Sequence, residues 1–430
     1  MVDVAESRTG MGNASRDAGA LSHIRICDLS GQLAGAGATR VLATFGAQVV
    51  RVEDPVTRGL WDIGRQIGPY VNGDVGPDGG TGFINHNVEK LGITLNLRTE
   101  RGKELLAELV RVSDAVTENF AAGVMERLGF GYERLRQLRP DVVYVSNCGF
   151  GHTGPYRPFK SWGPIVQAVS GLTHTSGLPG REPAGWGYSY MDHTGGYVMA
   201  IALLAALYHR RRTGEGQWVD LACIEAGIAM TGPAALDATV NGRMQRGEDG
   251  PDAVHANRDP YQSMVPHGIY PCRDEDTWVA IACRHDADWA ALVEVIAEPW
   301  AKAAALATVA GRRTTQDALD ADVAAWTGTR TRDELVAAVR AAGVPVAPVK
   351  RPPERCDTDP ELQAWGLWPT INHTKHGPLR VDGQPVHLSG TDWKVRRGGP
   401  VLGEDNERVL TEVLGLTTAE IGRLADEGVI

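Results

Sequence analysis

The stretch IRICDLSGQLAGAGATRVLATFGAQVVRVE, residues 24–53, decides the fold prediction. It begins with a short run of aliphatic residues, continues with small and apolar residues at helical spacing, and ends in a second aliphatic run. Two short apolar runs joined by a helix are typical of a unit whose two strands are parallel neighbours in one sheet. The stretch therefore predicts an α/β fold with a parallel sheet.

The same alternation continues along the chain, with further strands predicted at 92–97, 115–119, 142–147 and 218–223. We predict a Rossmann-like large α/β domain with a parallel sheet, plus a smaller α+β domain. The predicted boundaries are a flexible tail at 1–21, a large α/β domain at 22–230, a linker at 231–260, a small domain at 261–365, and a C-terminal return to the large domain at 366–430.

Composition limits the class of protein. The 430 residues include 43 Lys+Arg and 53 Asp+Glu, which gives a formal net charge of −10. A hydrophobic fraction of 43% and a charged fraction of 22% are those of an ordinary folded soluble protein. The acidic balance argues against a nucleic-acid partner, which would require a basic face. It leaves room for an anionic small molecule held by a few local cations.

The six cysteines form no CxxC pair and have no histidine at zinc-ligand spacing. We therefore expect no metal site and a reducing, cytoplasmic location. The first twenty residues lack the apolar core of a signal peptide. The apolar run at 197–208 is shorter than the roughly 20 residues that span a bilayer, so it predicts a buried core helix and no membrane partner.

A glycine cluster follows the first predicted strand. Gly31, Gly35 and Gly37 open the first helix, and Glu53 closes the next strand, which is the context of a dinucleotide fingerprint. Arg40 occupies the position of the third glycine of that fingerprint. A tight turn with close backbone approach is therefore favoured over a nicotinamide site.

Asp192 directly precedes the apolar helix in YMDHTGG. An aspartate in this place is a favoured N-cap, because its carboxylate accepts backbone N–H bonds. The same bonds are expected to lower its pKa and to keep it ionised, as a nucleophile requires. Both roles of Asp192 stay open on local chemistry alone. For the adjacent His193, a hydrogen-bonding or structural role is favoured over that of a base.

Several segments resemble the family III CoA transferases, which include formyl-CoA and carnitine CoA transferases and the α-methylacyl-CoA racemases. The segments are DLSGQLAGAGATRVLATFGAQVVRVEDP, VTENFAAGVMERLGFGYERLRQLRPDVVYVSNCGFGHTGPY, MDHTGGYVMAIALLAALYHRRRTGEGQWVDLACIEA and LGEDNERVLTEVLGL. The resemblance implies that the large domain at 22–230 binds CoA. It also implies an interlocked homodimer, coenzyme A as co-substrate and no further cofactor.

The resemblance also implies the site residues. Asp192 matches the nucleophilic aspartate. Apart from the resemblance, we expect a nearby backbone amide, in the Gly195–Gly196 pair or in the turn at Gln32, to stabilise the oxyanion. Trp162 stands where the racemases have a catalytic histidine, and an indole cannot act as a base. The remaining predictions are CoA binding by Gln32, Lys90, Asn119, Phe120, Arg127 and Lys160, and a substrate pocket of Trp61, Trp162, Tyr188 and His193.

These residues predict an acyl-CoA:carboxylate CoA transferase that works through an aspartyl-CoA thioester at Asp192, with an acyl-CoA and a carboxylic acid as substrates. An α-methylacyl-CoA racemase and a catalytically silent CoA-binding protein are the alternatives. The segment HANRDPYQSMVPHGIYPC lacks the run of glycines found in the formyl-CoA branch, which disfavours formyl or oxalyl transfer.

Overall fold

The computed structural model describes residues 19–178, 181–187, 189–242, 257–258 and 263–430. The described residues divide into two compact units. The first unit combines the chain up to Thr173 with Gly185–Ala235 and Glu361–Ile430. The second unit combines His174–Ala184 with Leu236–Pro360.

A parallel sheet organises the first unit. Its strands are β1 Arg25–Asp28, β2 Gln48–Glu53, β3 Leu91–Thr94, β4 Ala115–Glu118, β5 Val143–Cys148 and β6 Trp218–Ala222. Each neighbouring pair is parallel, in the order β3-β2-β1-β4-β5-β6. The order reverses between β1 and β4, and sheets of this kind bind ligands outside the carboxyl ends of their strands at such a point. The predicted Rossmann-like α/β fold is confirmed.

Two smaller antiparallel sheets complete the described strands. The second unit contains β7 His267–Pro271, β8 Trp278–Ala282 and β9 Val346–Val349, and the first unit contains the hairpin of β10 Thr370–His373 and β11 Gly377–Arg380.

Helices cover the sheets, and their bounds in chain order follow. They are α1 Ala34–Thr44, α2 Thr81–His86, α3 Glu100–Arg111, α4 Val124–Leu128, α5 Tyr132–Leu138, α6 Gly163–Val169, α7 Tyr190–Thr213, α8 Cys223–Met230, α9 Gly232–Asn241, α10 Asp286–Ile296, α11 Val309–Thr314, α12 Gln316–Thr327, α13 Arg332–Ala341, α14 Pro352–Asp357, α15 Pro360–Trp365, α16 Asn406–Glu412 and α17 Thr418–Asp426.

The C-terminal helices share the core of the first unit. Leu105 and Leu109 of α3 pack in one buried cluster with Val409 and Leu410 of α16 and Leu424 of α17. Burying five such side chains contributes about 1.5–3 kcal/mol each. The last residues of the chain are therefore built into the unit that carries the sheet.

The second unit has its own core. Trp289 and Leu292 of α10 pack with Val323 and Trp326 of α12 in a buried cluster beneath the antiparallel sheet of β7, β8 and β9. A core of this kind is what allows the unit to form as a separate compact body.

Helix α7 differs from the prediction of a buried core helix. Met199 and Leu203 are buried, whereas an apolar stripe of Tyr197, Ile201, Leu204 and Tyr208 is exposed on the other side. The helix is apolar around most of its circumference. Hydrophobicity alone does not distinguish a helix face that is buried in the core of its own chain from one that another chain could cover.

Parts of the predicted tail and linker lie outside the described residues. This holds for 1–18 of the tail and for 243–256, 259 and 260 of the linker, while 232–241 form α9. Across the described ranges, no helix is both long enough and apolar enough to cross a membrane.

Candidate active site

A cleft opens at the carboxyl ends of β1, β4 and β5. Gly31 and Gln32 after β1, Asn119 and Phe120 after β4, and Gly149 after β5 line it. Its volume of about 290 Å³ is close to the lower end of the roughly 300–1,000 Å³ that is typical of ligand pockets. The cleft therefore suits the reactive end of a ligand whose remainder extends beyond it.

Asp192 lies in the first turn of α7, and its side chain lines the cleft. Burial raises the pKa of this carboxyl, although hydrogen bonds from the Ser189 side chain and the Gly163 amide and the nearby His193 oppose the rise. The prediction of an N-cap with a lowered pKa is wrong. Ser189 is the N-cap, and the loss of hydration outweighs the hydrogen bonds.

Gly163, the first residue of α6, lies against the Asp192 carboxylate. A Cβ atom at this glycine would come within 2.5 Å of Oδ2 and 2.8 Å of Cγ of Asp192. Only a residue without a side chain leaves room for the carboxylate in this position. The motif reasoning did not single out Gly163, because the contact joins residues far apart in the sequence.

Two residues at the site adopt a left-handed backbone conformation that is unusual for residues other than glycine. Gln32 has a φ of 56° and Ser189 a φ of 50°. Such conformations cost energy and concentrate at functional sites. Gln32 lines the cleft, but its backbone N–H, a predicted oxyanion donor, already donates to Asp62 Oδ1 at 3.0 Å.

Asn119 and Phe120 shape the wall after β4. The Asn119 side chain accepts the Gly31 N–H at 2.7 Å and donates to the Gly31 carbonyl at 3.0 Å, so it links the turns after β4 and β1. The Phe120 ring lies 5.4 Å from the Trp61 ring, and both line the cleft. The structure therefore brings Gln32, Asn119 and Phe120 together as the resemblance implies.

Lys160 and Arg127, the other two basic residues predicted to bind CoA, lie in different places. Lys160 lines the cleft, and its side chain is exposed. Arg127, also exposed, does not line the cleft; its guanidinium lies beside Gly123, just beyond the lining residue Ala122.

Lys90 does not line the cleft. Its side chain is fully buried, and Nζ donates to Asp28 at 3.2 Å, Asn87 at 2.9 Å and the Ala36 carbonyl at 3.0 Å. Burial lowers its pKa to about 8. An ammonium group has three N–H donors, and in Lys90 all three are bonded to these acceptors. Lys90 therefore stabilises the buried structure and has no donor left for a phosphate.

The predicted substrate pocket is assembled in part. Trp61 and Trp162 line the cleft, and Trp162 is 51% exposed. His193 is exposed and outside the lining, with its ring 5.6 Å from that of His86. Tyr188 lies outside the described residues.

A buried polar network behind the cleft was missed by the sequence reasoning. Glu118 accepts the Phe120 N–H at 2.7 Å and the Tyr144 hydroxyl at 3.0 Å, and burial raises its pKa to about 7. Burial opposes protonation of His152, but hydrogen bonds with Cys148 and Asp220 raise its pKa to about 9. The sequence signal that could have found this network is the polar residue Glu118 at the end of the apolar strand β4.

Glu53 does not fit a dinucleotide site. It is buried, and both its carboxylate oxygens accept from Arg65, at 2.9 and 2.7 Å. A carboxylate held in this way is not available for ribose hydroxyls. The acidic residue that a nicotinamide dinucleotide site requires is therefore missing here.

The comparison with family models decides the family. The model described as CoA-transferase family III matches residues 21–406. The chain belongs to CoA-transferase family III. This confirms the resemblance and the prediction of a CoA transferase.

Two curated relatives and one solved structure agree with the family. Formyl-CoA:oxalate CoA-transferase of Streptomyces coelicolor is 32% identical, over 96% of this chain and 99% of the relative. Succinyl-CoA–D-citramalate CoA-transferase of Chloroflexus aurantiacus is 31% identical, over 95% and 98%. A CaiB/BaiF family protein from Brucella suis superposes with a TM-score of 0.82 and 29% identity, covering 92% of this chain and 99% of that one. The two named relatives use different acids.

Proposed function

We propose that this family III transferase moves CoA from an acyl-CoA thioester to a free carboxylic acid through an aspartyl-CoA thioester at Asp192. The observation that carries the proposal is the Asp192 carboxylate in the cleft, packed against the backbone of Gly163 and close to the turn at Gln32.

The reaction proceeds as two pairs of exchanges. An Asp192 carboxylate oxygen attacks the donor thioester carbonyl, which forms a mixed anhydride and releases CoA thiolate. The thiolate attacks the aspartyl carbonyl, which forms aspartyl-CoA and releases the donor acid. The acceptor carboxylate then forms a second anhydride with Asp192 and frees the thiolate. The thiolate finally takes the acceptor acyl group and regenerates the Asp192 carboxylate.

The environment of Asp192 supports this role. Partial burial raises its pKa, so the ionised oxygen is a better nucleophile than a fully hydrated carboxylate. The Gln32 side-chain amide supplies a donor for the oxyanion that develops on each attacked carbonyl.

The described lining of the cleft contains no histidine, and Trp162 offers no base. Racemisation at carbon requires groups that remove and return a proton. This supports transfer over racemisation.

The variant Asp192→Asn tests the mechanism. We expect exchange to fall by a factor of about 10³ or more while CoA still binds, because the amide preserves shape and removes the nucleophile. Mass spectrometry of exchanged CoA and trapping of the acyl-enzyme with hydroxylamine provide the readouts. Asp426→Asn, an exposed position on α17, is the matched control.

Other outcomes distinguish the alternatives. Substantial exchange by Asp192→Asn contradicts the proposed mechanism. Incorporation of solvent deuterium at the α-carbon of an acyl-CoA would favour a racemase. Binding of CoA without exchange across a panel of donors would favour a silent CoA-binding protein.

We also propose that the protein is a homodimer. The apolar stripe on α7 and the exposed Ile228 and Met230 on α8, all in the first unit, support this. Exposed apolar residues on successive helices are typical of a surface that is covered by another chain.

The acids exchanged are proposed only by class. Trp61, Phe120 and Trp162 favour an acyl group with apolar surface. No cofactor besides the co-substrate CoA enters the mechanism, and a cytoplasmic location stays a prediction from the cysteines. A screen of CoA thioesters against free carboxylic acids, with mass detection of the exchanged CoA, identifies the pair.

A further inference from the structure

Arg157 was not among the predicted ligand residues, yet it lines the cleft. It lies in the loop that follows β5 and carries Lys160. The loop is folded on itself, because the Tyr156 and Phe159 rings lie 5.6 Å apart and both contact the Phe150 ring. Arg157 therefore lies in the sequence between two aromatic residues whose rings contact each other.

Arg157 and Arg127 converge on one glycine. A Cβ atom built on Gly123 would lie 3.1 Å from Nη1 of Arg127 and 3.8 Å from Nη2 of Arg157, so the two nitrogens are at most about 7 Å apart. We call these two residues the arginine pair. Gly123 follows Ala121 and Ala122, which line the cleft, so the arginine pair stands at the end of that wall.

No acidic side chain among the described residues neutralises the arginine pair. Neither guanidinium forms an ion pair or a side-chain hydrogen bond there, and both side chains are exposed. Like charges repel, and this chain carries ten more acidic than basic residues. An unneutralised pair of cations in an acidic protein is the arrangement that an anionic ligand completes.

We propose that Arg157 joins Arg127 in a clamp for a phosphate group of CoA and thereby sets the affinity for the nucleotide end of the substrate. The inference rests on the proposed function, which places the thioester at Asp192 in the same cleft. Guanidinium groups bind phosphate oxygens in a planar, two-pronged geometry that lysine does not reproduce. The phosphate is either the 3′-phosphate or the diphosphate.

Binding measurements on Arg157→Ala, Arg157→Lys and wild type test the clamp. We expect Arg157→Ala to weaken CoA binding by about 10–100-fold, and to raise KM for acyl-CoA with kcat little changed. Arg157→Lys restores part of the affinity. Arg111→Ala, an exposed arginine on α3, is the control and binds CoA as wild type does.

The ligand series locates the phosphate. If the arginine pair holds the 3′-phosphate, Arg157→Ala and wild type bind 3′-dephospho-CoA equally. If it holds the diphosphate, the variant loses affinity for both ligands by the same factor. An Arg157→Ala affinity for CoA within twofold of wild type overturns the clamp and leaves the proposed function standing. Loss of affinity in a protein that exchanges no acyl group keeps the clamp and rejects the proposed function.

Discussion

Glu118 is the residue at which burial and charge conflict most directly. The residue is 1% exposed, and among the described residues its carboxyl has no basic side chain as a direct hydrogen-bond partner. Burial raises its pKa from 4.5 to about 7. The folded protein therefore keeps this proton while the unfolded chain releases it. The free energy of unfolding is expected to fall as the pH rises from about 4.5 to about 7.

The variant Glu118→Gln removes this dependence. Its amide imitates the protonated acid, with the oxygen accepting the Phe120 N–H. We expect the free energy of unfolding at pH 8 to exceed that of wild type by on the order of 2 kcal/mol, with little difference below pH 4.5. Urea unfolding at the two pH values is the measurement, and Glu427→Gln is an exposed control. Equal slopes of stability against pH in wild type and variant would contradict the assignment.

Gly163 determines where the Asp192 carboxylate lies. Gly163→Ala places a methyl group 2.5 Å from Oδ2 of Asp192, so the carboxylate has to move. We expect kcat to fall about 100-fold, because a displacement near 1 Å costs that much in a positioned reaction. Steady-state kinetics and thermal unfolding separate this loss from unfolding.

A matched control for Gly163→Ala is Gly82→Ala on α2, where an added Cβ meets nothing within 4 Å. The control is expected to retain wild-type kcat. A kcat for Gly163→Ala within threefold of wild type would show that the carboxylate tolerates the displacement.

At the scale of elements, the contact of α7 with α1 positions Asp192, the proposed nucleophile. A Cβ on Gly196 would lie 2.8 Å from the Ala34 carbonyl oxygen at the start of α1. The close approach fixes the first turn of α7, and hence Asp192, against the helix that follows β1. Gly196, the second glycine after Asp192, is therefore a packing residue between two helices as well as part of the motif.

The variant Gly196→Ala tests this contact. We expect the free energy of unfolding to fall by about 1–3 kcal/mol, because overpacking outweighs the better helix propensity of alanine. Gly422→Ala on α17 adds a Cβ with no neighbour within 4 Å and is expected to be neutral or slightly stabilising. Urea unfolding compares them, and a stabilised Gly196→Ala variant would refute the packing role.

The elements of the sheet were predictable because buried parallel strands are short, continuous aliphatic runs. Residues 115–119 were predicted as a strand, and β4 spans Ala115–Glu118. The sequence analysis placed Asp192 before the apolar helix, whereas α7 begins at Tyr190. The predicted start is too late because Tyr190 to Thr194 lack the apolar periodicity of the rest of the helix. Local pattern finds the middle of an element better than its end.

At the scale of the whole molecule, the apolar stripe on α7 predicts association of two chains. Ile201 is 67% exposed and Tyr208 is 62% exposed, which a soluble protein seldom leaves uncovered on one helix. We expect wild type to be dimeric in light scattering coupled to gel filtration. Ile201→Glu is expected to shift the mass toward a monomer, because it buries a charge at the interface.

The control for this variant is Val75→Glu, a loop position that is 76% exposed and lies outside the stripe. It is expected to keep the wild-type mass. A monomeric wild type, or a dimeric Ile201→Glu, would reject the stripe as the interface.

The sequence by itself determined the parallel α/β fold and the family, and it supplied Asp192 as the candidate nucleophile, because aliphatic runs and contiguous motifs are local properties of a chain. The tertiary structure decided the rest. It buried Lys90 among three acceptors, brought Gly163 against Asp192, and set Arg157 beside Arg127. Hydration, burial and pairing of charge depend on neighbours that are distant in sequence. For that reason the same residue type lines the cleft at one position, Lys160, and is buried in the core at another, Lys90.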